Sequence, residues 1–165
     1  MAEAVAPAGA VLLVRHCSAG SADRFAGLDR LRPLDGRGRR QAAALADAVR
    51  AEFAVRSILS SPYLRCRQSM EPLAQAAGLP VEVAEALAQG GAEDAALRLV
   101  RGLPPGDAVL CSHGDVLPAL LERLAAEDGL ALGGGPAPCA KGSAWVLTMA
   151  APGRFRAARY VPPRA

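Results

Sequence analysis

The sequence predicts an α/β fold, a three-layer sandwich in which helices cover both faces of a mostly parallel central sheet. Three observations carry this reading. Short apolar runs at residues 11–14, 57–60 and 108–111 have the composition of strands buried on both faces. Each is followed by a polar turn bearing Arg or His, and each turn leads into an amphipathic helical pattern. Strand, turn and helix in that alternation are what βαβ units produce.

The elements can be justified in order. Residues 1–9 are small and uncharged except for Glu3. They lack the basic start and long apolar stretch of a secretory signal, so a flexible leader is expected before one domain spanning 10–165. The first strand is followed by a loop containing Arg32-Pro33-Leu34. Asp35 then stands as a helix N-cap, with Ala42, Leu45, Val49 and Phe53 behind it at helical spacing. After the second strand a helix over 64–77 stops at Gly78, with Pro80 just beyond. Val81-Glu82-Val83 reads as a short strand, and a helix over 93–101 ends at Gly102 and Pro104-Pro105. The third core strand leads into a helix over 116–126. Beyond the loop Gly133-Gly134-Gly135-Pro136, residues 144–149 and 155–161 flank the turn signal Pro152-Gly153. They predict an antiparallel pair at a sheet edge.

Composition narrows the function classes. Hydrophobic residues make up 52% of the 165-residue chain. No apolar run approaches the roughly 20 residues of a membrane-crossing helix, so no membrane partner is expected. Cys17, Cys66, Cys111 and Cys139 never form a CxxC pair, which removes the common zinc and thioredoxin-like patterns. No metal and no cofactor is expected, and reduced thiols suit a cytoplasmic setting. A net charge of +3 is too small to suggest binding to a nucleic-acid polymer. Six arginines nevertheless fall between Arg24 and Arg40. They either attract an anion or form a solvated face in a chain whose only lysine is Lys141.

Ligands of open α/β sheets bind beyond the carboxyl ends of the strands. The three core strands deliver Arg15-His16, Arg65 and Ser112-His113 there, and these are the only two histidines in the chain. Cationic and polar donors converging on one crevice repel one another unless an anion sits between them. Phosphoryl transfer fits that set. Its charge spreads over three equatorial oxygens, so catalysis consists mainly of positioning and electrostatic stabilisation. Arg15 and Arg65 offer forked donors, His113 another hydrogen bond, and a neutral His16 nitrogen can act as nucleophile. Activity is then expected to fall at low pH as His16 takes up a proton. A cysteine-dependent phosphatase fails by spacing, because the position six residues after Cys17 is Asp23 rather than Arg.

These residues resemble the histidine phosphatase superfamily, also called the phosphoglycerate mutase-like fold. The resemblance runs from Val11 to Met149. It rests on Leu13-Val14-Arg15-His16-Cys17, on Pro33-Leu34-Asp35-Gly36-Arg37-Gly38, on Ser61-Pro62-Tyr63-Leu64-Arg65-Cys66 and on Ser112-His113-Gly114. It implies that His16 carries the phosphoryl group while Arg15, Arg65 and His113 form the phosphate pocket. Arg32, and less directly Arg24, could reach the phosphate or a second anionic group. The short chain is most similar to small SixA-type members. It also resembles the histidine-phosphatase domain at the C-terminus of some actinobacterial Nudix hydrolases, although it contains no Nudix segment. The implied substrate is a phosphorylated small molecule or a phosphoprotein, including protein phosphohistidine or a phosphoanhydride such as a nucleotide.

Two positions depart from the family pattern. Cys17 stands where glycine is usual, which alters the loop or exposes a thiol. Gln89 stands where larger relatives carry a glutamate acid, and an amide cannot transfer a proton. The remaining candidate acids are Glu85, Glu93, Asp94 and Asp115, and Asp115 is read preferentially as the N-cap of the following helix. Good leaving groups need little protonation, so phosphohistidine or a phosphoanhydride tolerates the missing acid. The alternatives are a catalytically weak phosphate-binding module and, less favoured, a phosphoglycerate mutase.

Overall fold

The computed structural model describes residues 9–164, so the expected leader falls outside the described residues except for Gly9. Six strands form a single sheet: β1 (Ala10–Arg15), β2 (Val55–Ser60), β3 (Val81–Val83), β4 (Asp107–Ser112), β5 (Ala144–Ala151) and β6 (Arg154–Val161). Their order is β3-β2-β4-β1-β5-β6. The first four strands of that order are parallel, and β5 and β6 run antiparallel at one edge, as the two C-terminal apolar runs predict.

Helices cover both faces. Helices α1 (Gly36–Glu52) and α2 (Leu64–Ala77) pack on one side, and α3 (Glu93–Arg101) and α4 (Val116–Asp128) on the other. Side chains alternate across a strand, so β1 sends Leu12 and Val14 to the first face and Val11 and Leu13 to the second. Each such buried aliphatic side chain contributes about 1.5–3 kcal/mol relative to exposure. This is why the strand needs a continuous apolar run. No helix among the described residues is long and apolar enough to cross a membrane.

The loop between β1 and α1 is fastened at its far end by Asp35. One carboxylate oxygen accepts from the Gly38 amide at 2.8 Å. The other accepts from Ser18 Oγ at 2.7 Å and the Gly20 amide at 3.0 Å. Gly38 allows the close approach, because a Cβ there would stand 1.9 Å from the Ser18 carbonyl oxygen. Strand β2 begins earlier than its apolar run indicates, at Val55. Its first residues alternate in burial and include an exposed Arg56, so hydrophobicity does not mark them. Pairing with β4 does, across a register shift between Val55 and Ser57.

Candidate active site

Three neighbouring strands, β2, β4 and β1, end at the same edge of the sheet, and their backbones set the site. The His16 amide donates to the Ser112 carbonyl and the Ser61 amide to the Cys111 carbonyl, each at 3.0 Å. These bonds place His16, Ser61 and His113 side by side just past the strands. Arg65 enters from the first turn of α2. The result is a cavity of about 250 Å³ lined by Arg15, His16, Arg32, Arg65, His113 and Lys141, with Gln89 and Asp115 also in its wall.

The two imidazole centroids lie 5.4 Å apart. His16 Nδ1 is 2.9 Å from the Cys17 carbonyl oxygen. A carbonyl only accepts, so the proton sits on Nδ1 and the lone pair on Nε2. Burial, together with the positive fields of Arg65, His113 and Arg15, pushes the His16 pKa down from 6.5 to about 3 against the opposing pull of the Cys17 carbonyl. The ring is therefore neutral throughout the physiological range. The loss of activity expected at low pH therefore belongs well into the acid range, where His16 gives up its lone pair.

His113 Nε2 meets Ser61 Oγ at 2.8 Å, and its ring packs edge-on to Tyr63 with centroids 4.8 Å apart. The Arg65 guanidinium lies 4.8 Å from the same Tyr63 ring and is almost wholly buried. It donates to the Asp29 carbonyl at 2.9 Å, to the Asp29 carboxylate at 3.1 Å and to Gln89 Oε1 at 2.6 Å. Arg15 donates to the Cys139 carbonyl at 2.7 Å. A Cβ at Gly114 would fall 2.7 Å from the Arg15 guanidinium carbon, so the glycine after His113 makes room for that side chain. Among the described residues, three buried side-chain nitrogens have no hydrogen-bond partner: Arg15 Nε, Arg65 Nε and His113 Nδ1. Buried polar groups in that state are costly, and all three belong to residues that wall the cavity.

The structure brings together all five residues singled out from the sequence: His16, Arg15, Arg65, His113 and Arg32. Arg32 is buried but heavily engaged, donating to the Ala19 and Gly20 carbonyls and to Asp29. Arg24 instead lines a neighbouring hollow with Phe25. Cys17 is fully buried among Ala19, Leu34 and Ala42, and burial raises its thiol pKa to about 11, so it is no exposed thiol. Asp115 requires a correction. It holds the N-cap position of α4, but its backbone is helical and its side chain caps nothing. Its carboxylate accepts from the Gly90 amide at 2.8 Å, at the rim of the cavity. Of the other proposed acids, Glu85 pairs with Arg30, and Glu93 and Asp94 pair with Arg123. Asp29, Ser61 and Lys141 escaped the sequence reading. The one available signal was that Lys141 is the sole lysine of an arginine-rich chain.

A larger hollow of about 730 Å³ lies at the opposite edge of the sheet, between Phe53, Val146 and Met149. Glu52, Arg156 and Arg159 also line it, but no histidine does, whereas the smaller cavity gathers both histidines with Arg15, Arg32 and Arg65. Chemistry rather than size identifies the site.

The paired histidines and arginines thus gather at the carboxyl end of the sheet. The model of the histidine phosphatase superfamily (branch 1) matches residues 11–91, and the chain belongs to that superfamily. An 8-oxo-(d)GTP phosphatase of Mycolicibacterium smegmatis is 40% identical over 119 residues, which cover 68% of this chain and 36% of that protein. The chain thus spans about a third of that relative's length. A protein described as the phosphohistidine phosphatase SixA of Nakamurella multipartitia superposes with a TM-score of 0.74 at 26% identity, over 97% of this chain and 100% of that one. The protein histidine phosphatase SixA complexed with tungstate gives the same TM-score at 20% identity, over 94% of this chain and 96% of that one, which is a likeness of fold.

Proposed function

We propose that this chain is a phosphatase whose first step transfers a phosphoryl group to His16 Nε2. The observation that carries the reading is the 2.9 Å approach of His16 Nδ1 to the Cys17 carbonyl, which assigns the lone pair to Nε2, in a cavity walled by Arg15, Arg65 and His113. The Nε2 lone pair attacks phosphorus, an Nε2–P bond forms, and the bond to the leaving group breaks with its electron pair. Arg15, Arg65 and His113 stabilise the charge on the equatorial oxygens, and Arg32 supports that wall. Water then attacks the phosphohistidine, Nε2 recovers its pair and the water's proton passes to solvent.

Gln89 accepts a hydrogen bond from Arg65 where a proton donor would be needed, which favours leaving groups that depart as stable anions or amines. Phosphoanhydrides and phosphoramidates meet that condition, on a small molecule or a protein. The relatives named for 8-oxo-(d)GTP and for phosphohistidine span the same two classes.

The test is turnover of para-nitrophenyl phosphate with rapid acid-free quenching. Wild-type enzyme is expected to turn over and to yield a trapped phosphohistidine, while His16→Asn loses about 10⁴-fold in rate and traps none. Chelator is expected to leave the rate unchanged, and inactivation reversed by added metal would overturn a metal-free mechanism. Phosphate binding without turnover in the wild type would make the domain a binding module instead.

A further inference from the structure

We infer that Lys141 forms a subsite for a second phosphoryl group, which makes the substrate class a phosphoanhydride. The inference rests on the phosphatase reading above and deepens it. Its first ground is placement. The backbone that carries Lys141 is tied on both sides to the Arg15–His16 pair. Arg15 donates from its guanidinium to the Cys139 carbonyl at 2.7 Å and from its amide to the Ser143 carbonyl at 3.0 Å. The Gly142 amide donates to the carbonyls of Arg15 and His16 at 3.1 and 3.2 Å. Lys141 therefore sits at a fixed point on the wall of the His16 cavity.

The second ground is charge. Arg15, Arg65 and His113 already suffice for the oxygens of one phosphoryl group, and Arg32 is spent on two carbonyls and Asp29. Among the described residues Lys141 makes no ion pair. Asp35, whose field reaches it, already accepts from Ser18, Gly20 and Gly38. Burial and the nearby charges of Arg15 and Arg32 hold the ammonium below its ordinary pKa. A cation kept beside guanidiniums with no ion-pair partner among the described residues is relieved by an anion lying beyond the reacting phosphoryl group.

An anhydride supplies that anion, because its leaving group is itself a phosphate. A phosphoramidate puts an amine or imidazole there instead. The compact ammonium then acts where charge develops: the anhydride P–O bond breaks, its electron pair goes to the leaving phosphate and no proton need be delivered. Gln89 in place of an acid follows from the same substrate chemistry.

The experiment compares inorganic pyrophosphate with para-nitrophenyl phosphate in wild type, Lys141→Ala and Lys141→Arg. In Lys141→Ala, kcat/KM for pyrophosphate is expected to fall about 10- to 100-fold more than for the aryl phosphate, the scale of a charged hydrogen bond. Lys141→Arg is expected to recover most of that difference. Equal losses on both substrates, or a wild type that turns over the aryl phosphate but not pyrophosphate, would overturn the subsite and leave the His16 mechanism standing. A wild type inactive on both would overturn the phosphatase reading itself, and the subsite with it.

Discussion

Arginine serves two different ends in this molecule, and the clearest contrast is between Arg101 and Arg65. At the end of α3, Arg101 donates to the Asp128 carboxylate at 2.6 Å and to Glu127 at 3.2 Å. Arg154 reaches the other oxygen of Asp128 at 3.2 Å, and the Phe155 amide completes the set. Each positive charge there meets a carboxylate, and the cluster fastens β6 to α3 and α4. In the cavity, by contrast, Arg15 leans on a carbonyl and Arg65 on a carbonyl, an amide and the half-exposed Asp29. Arg15 has no carboxylate partner, and Arg65 shares the single Asp29 carboxylate with Arg32, so the guanidiniums of the cavity are oriented with less than one counter-charge each. The arginine that braces the fold meets two carboxylates, whereas those of the cavity are held in place with positive charge in excess.

The contrast would break most visibly at Arg65. Arg65→Gln is expected to lower kcat on an aryl phosphate by about 10²- to 10³-fold with a much smaller change in KM, since its charge acts chiefly in the transition state. A variant with kinetics like the wild type would remove Arg65 from the reaction. The opposite profile is expected at Asp128, whose side chain is only 2% exposed. Asp128→Ala leaves Arg101 without its best partner and is expected to cost about 3 kcal/mol of stability, read from chemical denaturation. Its kcat per folded molecule should stay unchanged. A loss of kcat at Asp128 would mean that the two arginine centres are not separable.

How far the sequence reveals this contrast depends on the kind of interaction. Sheet and helices were legible because burial imposes a period, as in the continuous run Val11–Val14 or in Ala42, Leu45 and Val49 on α1. The pocket was legible because His16, Arg65 and His113 each follow a strand end closely enough for topology alone to gather them. Lys141 was not. It reaches the cavity through a tether from Gly142 back to Arg15 and His16, more than a hundred residues away in the chain, and no local pattern records such a bond. Asp115 divides between cap and cavity for a related reason. Its position before α4 has the composition of a cap, but the amide it serves belongs to Gly90, brought near only by the fold.

Proton linkage at His16 gives a smaller effect that tests the same cluster of charges. The folded pKa of about 3 lies below the unfolded value of 6.5, so acid protonates the unfolded chain first. The stabilisation is fully present above pH 6.5 and is lost as pH falls through the window down to about 3. Within that window the expected slope is up to about 1.4 kcal/mol per pH unit from this one group. His16→Asn should flatten the decline of Tm between neutrality and mild acid by that share. An unchanged pH dependence would mean that His16 titrates normally and that the surrounding cations do not act on it.

The smallest effect is expected at Asp115, the one carboxylate in the cavity wall among the described residues. If departure of the leaving group needs no proton, Asp115→Asn should change kcat/KM on pyrophosphate or para-nitrophenyl phosphate by no more than about threefold. That allowance covers its bond to the Gly90 amide, an ordinary charged hydrogen bond at an exposed rim. Alkyl phosphates provide the sharper comparison, because an alkoxide leaves badly without a proton and any acid role of Asp115 would be largest there. A loss that grows steadily from pyrophosphate through aryl to alkyl phosphates would make Asp115 the proton donor that Gln89 cannot be. A small, uniform loss across the three would mean that the cavity works by fixed positive charge alone, with substrate choice resting on how well the leaving group carries its own electrons.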